Sequence, residues 1–173
     1  MLQIRKGCFE TNSSSTHAII VSEEEELDTP WFDVNFAIGN FGWEIDILHT
    51  IDDKASYLYT AACIIKQKDV FNDLKNILAP CGIECYSTER ARFHKTDRGY
   101  EWLDNGDTDH AELEDFVDYI FESPEHLIRY LFDDRSYVVT SNDNCDEYTY
   151  DWFNAECTNK PETYKHKTFY KGN

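Results

Sequence analysis

Positive charge is scarce in this chain. Its 16 Lys and Arg face 34 Asp and Glu, a formal net charge of −18. A surface this negative repels the phosphates of DNA and RNA and anionic lipid headgroups. No run of about 18 apolar residues occurs, which excludes a spanning helix. Met1-Leu2-Gln3-Ile4-Arg5-Lys6 is not followed by the apolar region of a secretory signal. The expectation is a cytoplasmic protein. Low-complexity segments and internal repeats are absent. So are HExxH, the P-loop, GxSxG and GxGxxG, and no established catalytic signature is met.

What is present argues for a packed core. Apolar residues make up 41% and aromatics 15%, with 11 Tyr, 11 Phe and 4 Trp, too much buried-type side-chain mass for disorder. The length of 173 residues fits one domain. In the cytosol the 6 cysteines are expected as reduced thiols. Cys8 and Cys63 read as small core residues. Cys81-Gly-Ile-Glu-Cys85 has a spacing that zinc tolerates, and Cys145 and Cys157 could complete a set of four. The 11 residues between that second pair are not a usual knuckle, so no metal and no cofactor are expected.

The N-terminal third reads as strands over Leu2 to Lys6, His17 to Val21, Val34 to Ile38 and Trp43 to Leu48. An acidic loop spans residues 22–30, where like charges repel and Pro30 bars a helix. Helices follow. Asp53 can cap one carrying Leu58, Ala61, Ala62 and Ile65 on one face. Asp69 can cap a second, with Val70, Phe71, Leu74, Ile77 and Leu78 as its stripe, ended by Pro80 and Gly82. Ile83 to Ser87 reads as a strand, and Arg90, Arg92, Lys95 and Arg98 form one of few basic patches. A third helix fits Leu113, Phe116, Val117, Ile120 and Phe121. A fourth is signalled by Ser123 at the N-cap and Pro124 at the first helical position, with Leu127, Ile128, Leu131 and Phe132 inward. Ser136 to Thr140 is a strand entering the polar turn Ser141-Asn142-Asp143-Asn144. A tail over residues 160–173 carries 4 Lys against one Glu and suits pairing with the acidic body. Strands, then helices, then a strand predict a single α+β domain over residues 1–173, with a mostly antiparallel sheet and about four helices.

Five stretches, RKGCFETNSSSTH, GNFGWE, KASYLYT, GDTDH and SYVVTSNDN, resemble a group of small proteins carried by phages and mobile elements of Gram-positive gut bacteria. Members of that group share Phe-Glu-Thr-Asn-Ser-Ser-Ser-x-His near the N-terminus. They also share Gly-Glu-Phe-Gly-Trp-Glu, Tyr-Leu-Tyr-Thr, Gly-x-x-Asp-His and Ser-Tyr-Val-x-Thr-Gly-Asn-Asp-Asn. The match runs from Arg5 to Asn144, and its first motif is the most specific. The chain departs at Asn40, where the group has Glu, and at Ser141, where it has Gly. The second change removes the glycine of a tight turn before Asn142. The resemblance implies a mobile-element setting in a bacterial host cell and no settled activity. By analogy of class, small acidic phage proteins often inhibit host defence, as anti-CRISPR proteins do.

On chemical grounds one polar constellation stands out. His17, Asp109, His110 and Asp143 supply two imidazoles and two carboxylates next to element ends, the kit for general acid–base work or a divalent metal. Glu44 could join them. Asn12, Asn142 and Asn144 could orient a substrate through their amides, and Ser13, Ser14 and Ser15 could hold phosphate through hydroxyls and backbone N–H groups. Each has a plainer reading. Asp109, three residues before Glu112, looks like an N-cap. The serines suit turn hydrogen bonds, and His17 heads an apolar strand as a core histidine would.

Two functions of different class follow. The first is a binding protein whose acidic face occupies a basic cleft on a host defence protein that handles nucleic acid, for example a CRISPR effector. It would perform no chemistry and touch neither nucleic acid nor membrane. Its contact charges are Glu23, Glu24, Glu25 and Glu26, with Asp107, Glu112, Glu114, Asp115 and Asp118 from the Asp104-to-Asp118 run, which holds 7 acids. The alternative is a small hydrolase acting on a nucleotide or phosphoester through the His/Asp set.

Overall fold

The computed structural model describes residues 15–24, 33–43, 45–95, 97, 101–108, 113–142 and 164–171. Side chains alternate across a strand, and β1 (Ser15–Ser22) uses both faces. Ile19 and Val21 enter the main core, while Ala18 and Ile20 join a smaller cluster on the opposite side. Burial on both faces suits an interior strand. Here β1 lies between β9 (Tyr137–Asn142) and β10 (His166–Lys171) in an antiparallel sheet of order β10-β1-β9-β4, closed at one edge by β4 (Asp46–Leu48). Ser15 pairs with Asn142, His17 with Thr140 and Lys171, and Val21 with Lys167.

Among the described residues the largest sheet is antiparallel and is accompanied by four α-helices, so the chain folds as an α+β domain. Two further pairs are parallel: β2 (Asp33–Ala37) with β5 (Glu84–Glu89), and β3 (Asn40–Phe41) with β8 (Asp107–Thr108). A short antiparallel hairpin joins β6 (Phe93–Lys95) to β7 (Glu101–Leu103). At the turn before β8, a Cβ on Gly106 would lie 2.3 Å from Ile38 Cγ2 and 2.6 Å from the Gly39 carbonyl oxygen, so no side chain fits there.

α1 (Ile51–Lys66) is the central helix. Its run of buried residues, from Lys54 and Ala55 through Tyr57 to Cys63, covers most of its circumference, as expected of a helix enclosed by other elements. Its cap is Thr50 rather than Asp53. The Thr50 hydroxyl accepts the Asp53 N–H at 3.2 Å and donates to the Asp53 carboxylate at 2.6 Å, a reciprocal capping pair three residues apart. The helix ends on Gln67 in the left-handed region at φ 50°. α2 (Phe71–Leu78) has Val70 at the N-cap position, but the Asp69 carboxylate accepts the Phe71 N–H at 3.0 Å and so serves the same orphan donor. Pro80 and Gly82 follow it in a single 3₁₀ turn.

α3 (Glu114–Glu122) and α4 (Pro124–Phe132) share Ser123, which ends one and caps the other by accepting the His126 N–H at 3.2 Å. Leu113 occupies the N-cap position of α3 without a side-chain cap hydrogen bond; Asp109, expected as the N-cap, lies outside the described residues.

Several boundaries differ from the sequence reading. β4 is confined to residues 46–48 because Gly42, at φ 98°, bends the chain ahead of it. β9 runs on through Ser141 and Asn142, which pair with Thr16 and Ser15 instead of opening a turn. Ser22 belongs to β1 and not to the acidic loop. Residues 166–171 of the basic tail form a strand, because β1 offers them a free ladder edge. The expected strand at Leu2 to Lys6 lies outside the described residues, as do Glu25, Glu26 and Pro30.

Candidate functional site

His17 sits on the main-core face of β1, in step with Ile19 and Val21, and is 0% exposed. Its Nδ1 lies 2.8 Å from the hydroxyl of Tyr57, which rises from α1 and is itself fully buried. Burial pushes the Tyr57 phenol well above its ordinary pKa. Around the pair, Thr140 and Ser141 are also buried. Phe41 and Phe116 pack their rings against Tyr57 at 5.3 and 6.4 Å. The imidazole is thus enclosed between a helix and a sheet.

The same core holds a charged group that sequence reasoning missed. Lys54, one turn before Tyr57, is 1% exposed. Its Nζ donates to the backbone carbonyls of Asp133 and Ser136, 2.9 Å each, while Tyr130 donates its hydroxyl proton to the Lys54 carbonyl at 2.9 Å. Desolvation lowers the Lys54 pKa to about 8, against the upward pull of Asp133 and Asp134. Asp133 opposes its own burial through the forked Arg135 guanidinium, at 2.7 and 2.8 Å, and its pKa falls to about 2. Ser136 completes the knot, accepting the Ser22 N–H and donating to the Arg129 carbonyl. Lys54 therefore ties α1 to the exit of α4 and the entry of β9. The signal was legible in part: Lys54 stands three, four and seven residues before Tyr57, Leu58 and Ala61, on the buried face.

Of the expected acid–base set, only His17 falls within the described residues. Asp109, His110, Asp143, Glu44, Asn12, Ser13, Ser14 and Asn144 lie outside them. For Ser15 and Asn142 the backbone is placed, and the register sets them opposite each other at one end of the sheet. Among the described residues, no group of three His, Cys, Asp or Glu could hold a metal ion. Cys81 is exposed, Cys85 half-buried and Cys63 buried.

The acidic contact residues are better placed. Glu114, Asp115 and Asp118 are exposed on α3. Asp115, Asp118 and Glu122 share a groove of about 590 Å³ with Tyr119, Lys167 and Phe169 of β10. Asp118 pairs with Lys66 at 3.2 Å and Lys167 lies 4.0 Å over the Tyr119 ring. Glu23 and Glu24 meet the start of β10: Lys165 Nζ is 3.7 Å from Glu23, and Glu24 accepts the Lys165 N–H at 2.6 Å. Basic tail and acidic loop thus pair where both are described. Asp107 is exposed on β8, beside a second cavity. Glu25, Glu26 and Glu112 lie outside the described residues. Arg90 and Arg92 of the basic stretch are tied to Asp69 and Glu89. No helix among the described residues is long and apolar enough to cross a membrane.

Comparison of the chain with protein-family models, with curated proteins and with solved structures finds no match.

Proposed function

We propose that this chain is a binding protein that uses its acidic surface to occupy a basic, nucleic-acid-handling cleft on another protein. In the mobile-element setting implied by its sequence resemblance, that partner is a bacterial host defence protein such as a CRISPR effector. The observation that carries this reading is the row of exposed carboxylates on α3. Asp115, Asp118 and Glu122 recur at helical spacing on one side, with Glu114 beside them, on a chain of net charge −18. Among the described residues Asp118 pairs with Lys66 at 3.2 Å and Glu122 lies 4.0 Å from the His126 imidazole, while Glu114 and Asp115 have no ion-pair partner, so the row keeps a net negative field toward solvent. A complementary positive cleft would be approached faster and held in register by such a field.

Among the described residues nothing favours the hydrolase alternative: His17, one of its two imidazoles, is 0% exposed and faces Tyr57, and its other members lie outside the described residues. The test is competition. A partner captured from host lysate should release its own nucleic acid when this chain binds. The variant Glu114→Gln/Asp115→Asn/Asp118→Asn should fold normally and compete poorly. Simultaneous binding of chain and nucleic acid by the partner would refute the reading.

A further inference from the structure

A second concavity has no residue of α3 in its lining. It has a volume of about 760 Å³, within the range of about 300–1,000 Å³ typical of ligand sites. Its walls are the last turn of α1, the β6–β7 hairpin and the turn leading into β8. Trp102 forms one wall. The indole stacks on His94 with ring centroids 4.6 Å apart, yet remains 49% exposed. Two carboxylates, Asp104 and Asp107, line the same cavity, and both are exposed. Among the described residues no cation lies at ion-pair distance from either.

The third acid, Glu89, is already engaged, by the Asn105 amide at 3.0 Å and Arg92 at 3.5 Å. Asn105 also accepts the Arg92 N–H at 2.9 Å and donates to the Arg90 carbonyl at 3.1 Å. These bonds fix the turn that carries Asp104 and Asp107, and the close approach of Gly106 to Gly39 fixes its other end. Arg92 also lines the cavity, where it is turned to Glu89. The cavity therefore combines a half-exposed indole, two carboxylates with no cation at ion-pair distance among the described residues, and a braced frame.

We propose that this cavity receives an arginine side chain of the partner protein. A guanidinium is planar and always charged. It stacks on an indole and presents a fork of donors to carboxylates, whereas an ammonium offers no flat face. Glu89, Asp104 and Asp107 outnumber Arg92 in the lining, so phosphate-bearing ligands are disfavoured. The inference rests on the reading of the chain as a binder of basic protein surfaces, and it adds an anchor point outside α3.

The test uses the full chain and Nα-acetyl-arginine amide, followed by the NMR shift of the Trp102 indole N–H. A saturable shift is expected. Nα-acetyl-lysine amide should bind about threefold or more weakly, and the uncharged isostere Nα-acetyl-citrulline amide should not saturate. Trp102→Ala, tracked by calorimetry, should weaken arginine binding about threefold to tenfold. Asp104→Asn/Asp107→Asn should weaken it at least as much, with the thermal midpoint unchanged in both. Citrulline binding as well as arginine, tighter binding by adenosine, or no saturation by arginine would each overturn the assignment. Because no partner is present, this failure is read separately from failure of nucleic-acid competition, which the α3 variant reports.

Discussion

The hydroxyl of Tyr57 lies 2.8 Å from Nδ1 of His17, joining the middle of the central helix to the head of the central strand. Both residues are 0% exposed, so the bond has no competition from water. Tyr57→Phe keeps the ring packing and removes the hydroxyl. It should destabilise the protein by about 1–2 kcal/mol in denaturant unfolding, as a buried polar group loses a partner. His17→Ala should cost about 1–3 kcal/mol through lost polar partners and lost packing. Full retention of stability in both would show that the pair does not hold sheet and helix together.

Lys54 predicts an unusual pH dependence. Its pKa is about 8 in the native state and 10.5 ordinarily. Between those values the unfolded chain holds a proton that the native chain has released, so this residue's contribution to stability grows as pH rises. The tyrosines and cysteines with raised pKa act in the opposite direction, and comparison with Lys54→Met isolates the lysine. The stability difference, wild type minus variant, should rise across pH 8 to 10.5 by on the order of 1 kcal/mol per unit. A flat difference would mean that Lys54 stays protonated in the core.

Asp133 has the opposite signature. Its native pKa, about 2, is below the ordinary 3.8 because the bonds from Arg135 outweigh burial. Its stabilising contribution is complete above pH 3.8 and is lost as pH falls toward 2. Asp133→Asn should therefore lower stability at pH 7 by about 1–3 kcal/mol, with the gap to wild type closing below pH 3. A gap independent of pH would assign the effect to packing.

Gly106→Ala tests the frame of the second cavity. The new methyl would overlap Ile38 and the Gly39 carbonyl oxygen, against the hydrogen bond from the Asp107 N–H to that same oxygen at 3.0 Å. Forced separation of β3 and β8 should cost about 1–3 kcal/mol in thermal or denaturant unfolding. An unchanged midpoint would show that this turn yields freely.

Much of this architecture is written in local pattern. Ser123-Pro124 marks the start of α4 because a hydroxyl and a fixed φ act on their immediate neighbours. The apolar run Ala18 to Val21 marks β1 for the same reason. Other features depend on partners distant in sequence. Residues 166–171 read as a basic tail because their Lys residues dominate, and they become a strand only against the edge of β1. Ser141 and Asn142 have turn composition, yet Thr16 and Ser15 supply a ladder that continues the strand. Lys54 is charged, and charge argues for the surface until two backbone carbonyls from residues 133 and 136 converge on it. His17 was legible as an inward-facing residue at a strand head, but its partner Tyr57, 40 positions away, was not.

Whether the acidic face of α3 carries binding is read from the affinity for the captured partner as a function of salt. Exposed charges are screened within about 5 Å near 0.5 M salt, against about 10 Å at 0.1 M. Affinity should fall steeply across that range for the wild type. The fall should be much shallower for Glu114→Gln/Asp115→Asn/Asp118→Asn, and bound nucleic acid should compete with the chain throughout. Equal affinity for wild type and variant at every salt concentration would contradict the claim.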